Sequence, residues 1–296
     1  MAKTLHATSA LIGTIIGAGI FGIPYVVMKS GFTIGLIHIL LIAVLMTITT
    51  LYLGEIALRS KENHQLTGYA EKYLGKKGKI LMILALAFGI YSAVLAYLIG
   101  VGESLSFLFF DTSNYTIHFG ILTWILLSLF CHFGIKALEK GEFIGVITII
   151  ITIIAIVIYL ANKIDITNLT QKYPNMPLDY FAPFGVILFA FLGYTTIPEI
   201  KNILGKHKNE MKKSILLAIL ICTIVYILFP AIVIGFKGEQ TPQIATIALG
   251  KPFILLGILT MLTSYLALSI SLTDMFHLDF KQTKFRSWFF ACSVPI

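Results

Sequence analysis

Charge is scarce in this chain. Lys and Arg number 22 and Asp and Glu 14 among 296 residues, so 12% of the sequence is charged, about half the share of an ordinary soluble domain. A soluble globular domain and a charged disordered chain are both excluded. Cysteine is nearly absent as well. Cys131, Cys222 and Cys292 each lie in an apolar run without paired spacing, so they read as small buried hydrophobes and not as a disulfide framework or a thiolate metal centre. The seven histidines at positions 6, 38, 64, 118, 132, 207 and 277 form no His-Glu-x-x-His spacing, and most fall in loops or near helix ends. No metal is therefore expected from a histidine motif, and no enzyme. A continuous polar stripe, which a channel would need, is also missing.

Apolar sequence fills the space. Hydrophobic residues make up 57% of the chain and the mean hydropathy is +0.91. A helix needs about 20 apolar residues to span a bilayer. Such runs occur at Ala7–Met28, Phe32–Leu58, Ile80–Phe110, Thr116–Ala137, Phe143–Ala161, Phe181–Leu204, Ser214–Phe236 and Pro252–Phe276. They are apolar on every face, unlike barrel strands, which alternate. The expected class is all-α, a polytopic helical membrane protein embedded in lipid. Ala7–Met28 runs on without a cleavage site, so no signal peptide is expected.

The net charge of +8 does not point to nucleic acid once the charges are placed. With a cytoplasmic N-terminus, 17 of the basic residues fall on the inner side and 5 on the outer: Lys29, Lys163, Lys172, Lys237 and Lys251. That asymmetry is the positive-inside rule, and it predicts a cytoplasmic N-terminus in the cell membrane. Asn114-Tyr-Thr and Asn168-Leu-Thr are glycosylation sequons on the outer side. Two short interfacial helices are expected, one over Leu66–Gly75 and one over Thr241–Gly250 with Thr241 as N-cap, Pro242 at its first position and Gly250 after its end.

Two segments nearly repeat one another: Gly19-Ile-Phe-Gly-Ile-Pro24 and Gly193-Tyr-Thr-Thr-Ile-Pro198, 174 residues apart. Each interrupts a run long enough to cross a membrane, and irregular backbone at membrane depth persists only where it lines a cavity or site. Paired broken helices in corresponding halves point to a secondary transporter's substrate site. The expected architecture is a five-plus-five inverted repeat with helices 1 and 6 broken, in one integral domain over 1–296. The first repeat covers about 7–161 and an incomplete second about 181–296. By the 174-residue ruler a complete second repeat would run to roughly residue 355–360, so a C-terminally truncated chain is expected.

The breaks differ in charge. In the first, Gly17, Ala18 and Gly19 are expected to present free amides at the positive end of the outer half-helix, with Pro24 fixing the start of that half, a seat for a carboxylate. In the second, Phe189-Ala-Phe-Leu-Gly193-Tyr194, the outer half-helix is expected to end near Phe191 and its carbonyls to suit an ammonium. A zwitterionic α-amino acid matches both. The competing reading is that the glycines only permit close helix packing.

Gly17-Ala-Gly-Ile-Phe-Gly-Ile-Pro24 resembles the helix 1 signature of the amino acid–polyamine–organocation superfamily. Leu53-Gly-Glu-Ile56, Phe189-Ala-Phe-Leu-Gly-Tyr194 and Thr263-Ser-Tyr-Leu-Ala-Leu-Ser-Ile-Ser-Leu-Thr-Asp274 are similar to the amino acid/auxin permease and hydroxy/aromatic amino acid permease branches. The resemblance covers nearly the whole chain, but about eight of the ten or eleven spans the fold implies. It implies substrate contacts at Gly17, Ala18, Gly19, Phe189, Ala190 and Gly193, with aromatic residues of helices 3 and 6, here Tyr91, Tyr97, Phe191 and Tyr194, lining the side-chain pocket. In sodium-coupled members a cation sits between helices 1 and 8. The matching positions are Gly13, Ile16 and Thr260 by carbonyl and Thr263 and Ser264 by hydroxyl. Proton-coupled relatives also carry hydroxyls there, and Ser and Thr in membrane helices commonly bond back to their own helix, so sodium and proton coupling both remain open.

Glu55 and Glu199 are candidates for a proton relay or inner gate, although Arg59 four residues after Glu55 offers a local ion pair. The function expected is a secondary active transporter of neutral or aromatic amino acids, driven by a sodium or proton gradient through alternating access, with no cofactor beyond a possible sodium ion. An inactive remnant of such a permease, and less favourably a membrane-embedded enzyme, are the alternatives.

Overall fold

Long apolar runs leave the backbone only one way to satisfy its own polar groups inside lipid, the helix. A computed structural model describes residues 2–17, 19–60, 62, 64–133, 146–147, 150–151, 153–156, 158–171 and 176–293, and among them there is no strand. The chain runs through α1 (Ala2–Ile15), α2 (Gly19–Ser30), α3 (Phe32–Arg59), α4 (Leu66–Phe110) and α5 (Thr116–Phe133). Helical residues at 146–147, 150–151, 153–156 and 158–160 make up α6. A short α7 (Thr167–Thr170) follows, then α8 (Ala182–Ala190), α9 (Ile197–Leu204), α10 (Met211–Lys237), α11 (Ala245–Leu249), α12 (Lys251–Asp274) and α13 (Lys284–Ser293).

Five of these segments are long and apolar enough to cross a membrane, and α1 with α2, bent by 55°, makes a sixth. The expected fourth and fifth spans lie partly outside the described residues. Outward faces are apolar: Ile37, Leu41, Val44 and Ile48 on α3, and Leu81, Leu84, Phe88 and Leu95 on α4, are all exposed. In lipid such a face is the ordinary surface.

Packing divides the bundle into two groups. The broken pair α1/α2 packs on α8/α9, and α3 and α10 lie against both; α4, α5, α12 and α13 form a second group joined mainly through α4 with α5 and with α12.

The two halves repeat one device beyond the breaks. Leu66–Gly75 forms the expected short helix, and Gly75 then turns the chain into the long part of α4 with φ 70°. In the second half α11 leads through Gly250, φ 102°, into α12. Leu74-Gly75-Lys76 and Leu249-Gly250-Lys251 are 175 residues apart, almost the spacing of the two breaks. A positive φ is where glycine is needed. The helix before α12 is shorter than expected, however. Thr241 is extended, its hydroxyl donates to the Gly238 carbonyl at 2.7 Å, and α11 starts only at Ala245. A local side-chain bond has displaced the cap.

At the end of the bundle where α3 meets α4, Asp279 caps the start of α4. It accepts the Gly68 N–H at 2.8 Å, the Gln65 N–H at 3.3 Å and the Thr67 hydroxyl, which answers the unpaired donors of a helix start. Nearby, the hydrogen bond from His64 holds the Glu62 carboxyl below its usual range.

Candidate functional site

Each break glycine meets the residue that ends a helix in the other half. A Cβ on Gly19 would lie 2.6 Å from the Ala190 Cβ and 2.7 Å from its Cα, and Ala190 is the last residue of α8. A Cβ on Gly193 would lie 2.5 Å from the Cγ1 of Ile15, the last residue of α1. The glycines therefore do both jobs weighed above: they let the backbones touch and they mark the breaks.

The hydroxyl of Tyr226, fully buried in the middle of α10, reaches the same two residues. It lies 2.7 Å from the Ile15 carbonyl oxygen and 2.8 Å from that of Ala190. A phenol has one proton, so it donates to one of them at a time. Its ring meets Phe191 edge-on at 4.9 Å.

Lower in the break, the Thr14 and Thr196 hydroxyls are 2.6 Å apart and buried. Thr14 donates to the Ala10 carbonyl at 3.0 Å, so Thr196 is the donor in the pair. This bond ties α1 to the start of α9.

Between the breaks and α4 lies a cavity of about 30 Å³, lined by Thr14, Ile15, Gly19, Tyr97, Phe189, Ala190, Leu192, Tyr194 and Thr195, with Leu86, Gly89, Ile90 and Ala93 from α4 and Leu268 from α12. Among the described residues no charged side chain lines it. Ligand sites commonly measure about 300–1,000 Å³, so in this conformation the cavity is too small for an amino acid.

Gly19, Phe189, Ala190 and Tyr194 of the expected substrate set border this cavity. Ala18 lies outside the described residues. Gly17 is adjacent but its amide is not free as expected: it turns back to the Ile15 carbonyl at 2.9 Å, a three-residue turn centred on Ile16. A side chain on Gly17 would strike the hydroxyls of Tyr97 and Ser264 at 2.7 and 2.8 Å. Phe191 is buried behind the cavity against Tyr226, and Gly193 faces α1. Pro24 does not start the outer half-helix. It lies inside α2, which begins at Gly19, whereas α8 ends at Ala190 with Phe191 as its cap, as expected.

Of the two helix 3 tyrosines, Tyr97 faces the cavity, its ring 6.4 Å from that of Phe189. Tyr91 turns away and donates to the Phe290 carbonyl at 2.7 Å. The six-residue spacing put them on different faces.

At the expected cation position, Ser264 reaches the Gly13 carbonyl at 3.4 Å, and its hydroxyl and that of Tyr97 both lie beside Gly17. Thr263 instead donates to the Thr260 carbonyl at 2.9 Å, and the Thr260 hydroxyl to that of Gly257 at 2.8 Å. Ile16 continues α1 through its N–H bond to the Ile12 carbonyl at 2.7 Å. Oxygen atoms from α1 and α12 thus meet at Ser264 and Gly13, while the threonines bond within their helix.

Glu55 is exposed and pairs with Arg59 at 2.6 Å, away from the cavity lining. Glu199 lies half-buried in the first turn of α9, where a carboxylate complements the helix dipole. Lys201, expected at the interface beside it, is buried and donates to the carbonyls of Ser60 and Glu62 at 3.0 and 3.1 Å, tying α9 to the end of α3.

Residues 1–252 match the tryptophan/tyrosine permease family. The chain belongs to that family. It is 24% identical over 229 residues to the tyrosine-specific transport system 1 of Haemophilus influenzae, covering 77% of this permease-family chain and 57% of that protein. It is 27% identical over 161 residues to the vacuolar amino acid transporter 2 of Saccharomyces cerevisiae, covering 50% and 33%, and 23% identical to the glutamine transporter 2 of Aliivibrio fischeri, covering 79% and 61%. The chain thus spans from a third to about three-fifths of the length of these relatives. Among solved structures it resembles MHP1, a nucleobase-cation-symport-1 family transporter, in a closed conformation with bromovinylhydantoin bound: TM-score 0.73, 12% identity, covering 99% of this chain and 70% of that one. That likeness shows a shared fold.

Sequence reasoning missed Thr14, Thr196 and Tyr226. A signal for Tyr226 was present, since a tyrosine in the middle of an apolar helix needs a partner for its hydroxyl and broken helices leave carbonyls to be bonded. Which carbonyls it meets depends on the rotation of α10.

Proposed function

We propose that this protein is a secondary active transporter of neutral α-amino acids, aromatic ones included, working by alternating access. The observation that supports the reading best is the meeting of two opposed half-helix ends at one closed cavity without charged lining. Helix ends supply partial charges for a carboxylate and an ammonium, and an apolar wall favours an uncharged side chain. The small cavity fits a substrate that enters only when the halves part. Family membership and the names of the relatives agree with an amino acid as cargo.

The coupling ion is sodium or a proton. Ser264, the Gly13 carbonyl and Tyr97 would surround it at the α1–α12 contact, so that the ion and the carboxylate-binding first break act together. In the cell membrane the N-terminus would be cytoplasmic, as the lysine-rich loops require. The test is uptake of labelled tyrosine, tryptophan, glutamine and leucine into proteoliposomes, with sodium and pH gradients imposed separately. Saturable uptake under one gradient is expected; its absence for every amino acid under both would sink the proposal.

A further inference from the structure

We infer that Tyr226 is a positioning residue that sets the spacing of the ammonium-binding carbonyls, by holding the ends of α1 and α8 on one hydroxyl. The inference rests on the amino acid reading above.

Two carbonyl oxygens lying 2.7 and 2.8 Å from one hydroxyl oxygen are at most 5.5 Å apart, the sum of the two distances. Two acceptors bonded to the same tetrahedral ammonium at about 2.9 Å stand about 4.7 Å apart. The hydroxyl, donating its one proton to either oxygen in turn, thus leaves the pair no more than 5.5 Å apart, near the spacing an ammonium needs, before any substrate arrives. Both carbonyls belong to residues that border the cavity, Ile15 and Ala190, and both are terminal in their helices, where the backbone carries partial negative charge.

Capacity for a further donor remains. The two carbonyl oxygens offer four lone pairs; the Gly17 N–H takes one at Ile15, and the Tyr226 proton takes one more at either residue. Tyr226 itself is not among the residues lining the cavity. It acts from behind, through the backbone of the two ends. The close approach of Gly193 to Ile15 and of Gly19 to Ala190 brings the ends near one another, but only a hydrogen bond orients their oxygens.

Tyr226→Phe removes the hydroxyl and keeps the ring on Phe191. The readout is the inhibition constant of L-tyrosine and of its desamino analogue, 3-(4-hydroxyphenyl)propionate, against labelled tyrosine uptake into proteoliposomes. Tyrosine is expected to weaken about tenfold in the variant while the desamino analogue, which has no ammonium, changes less than twofold, with the maximal rate affected less than the affinity. Equal loss for both compounds, or none for either, would overturn the inference; the former assigns Tyr226 to general packing. Wild-type protein without saturable uptake of any of the four labelled amino acids would overturn the substrate reading and this inference with it, a failure visible before any variant is made.

Discussion

The two breaks share three letters over six positions and differ in structure. In the first, the helix resumes at Gly19, four residues after Ile15, and Pro24 sits within it. In the second, α8 stops at Ala190 and α9 starts only at Ile197, with a tight turn at Tyr194–Thr196 between them and Pro198 in the first turn of the new helix. The same Gly-x-x-x-Ile-Pro thus lies after one break and inside the other. Proline is tolerated in a first helical turn, where its missing N–H has no partner to lose; in a helix interior it removes a bond to the carbonyl four residues earlier. The first break is short, with the Gly17 N–H bonded back to the Ile15 carbonyl; the second is longer and contributes Leu192, Tyr194 and Thr195 to the cavity wall.

The largest effect is expected from Gly19→Leu. Its Cβ would meet the Ala190 backbone at 2.7 Å, which cannot yield as a side-chain tip can, so substrate uptake should be lost while membrane insertion persists. Normal uptake by Gly19→Leu would show that the first break is not part of the site. Gly193→Ala should be milder, because it meets side-chain atoms of Ile15 and Leu11 that can shift. Overpacking of this kind costs about 1–3 kcal/mol, to be read from thermal unfolding in detergent. If it proves worse than Gly19→Leu, the ranking of the two breaks is reversed.

Thr14→Val and Thr196→Val each remove the side-chain hydrogen bond that joins α1 to the second break. Each should cost about 1 kcal/mol, or up to about 3 where the remaining hydroxyl is left unpartnered. A double-mutant cycle in thermal stability should show positive coupling, and additivity would remove the bond from the account. Gly89→Leu sharpens the substrate side. A Cβ at Gly89 meets nothing within 4 Å beside the cavity, so added bulk should reduce tyrosine uptake more than alanine uptake; equal reduction would place the side-chain pocket elsewhere. Glu55→Gln is expected to leave uptake unchanged, since its exposed pair with Arg59 lies off the cavity and such pairs contribute little.

Much of this was legible in order along the chain. Apolar runs required helices, and the glycines and prolines located the interruptions within a few residues. Local chemistry was harder to read. Thr241 as a cap lost to its own bond with Gly238, and the Gly17 amide, expected free, closed a turn. Both are short-range competitions decided by differences of about a kilocalorie, below what a residue pattern resolves.

The sequence by itself determined that the chain is a helical membrane protein with two interrupted spans at a fixed interval, because lipid leaves the backbone no other solution and glycine with proline marks where helix geometry fails. Only the tertiary structure decided that Gly19 rests on Ala190, Gly193 on Ile15, and the Tyr226 hydroxyl on the carbonyls of that same pair. Those contacts join residues up to 211 apart, and they depend on the rotation of each helix about its axis, which hydropathy alone cannot supply when every face is apolar.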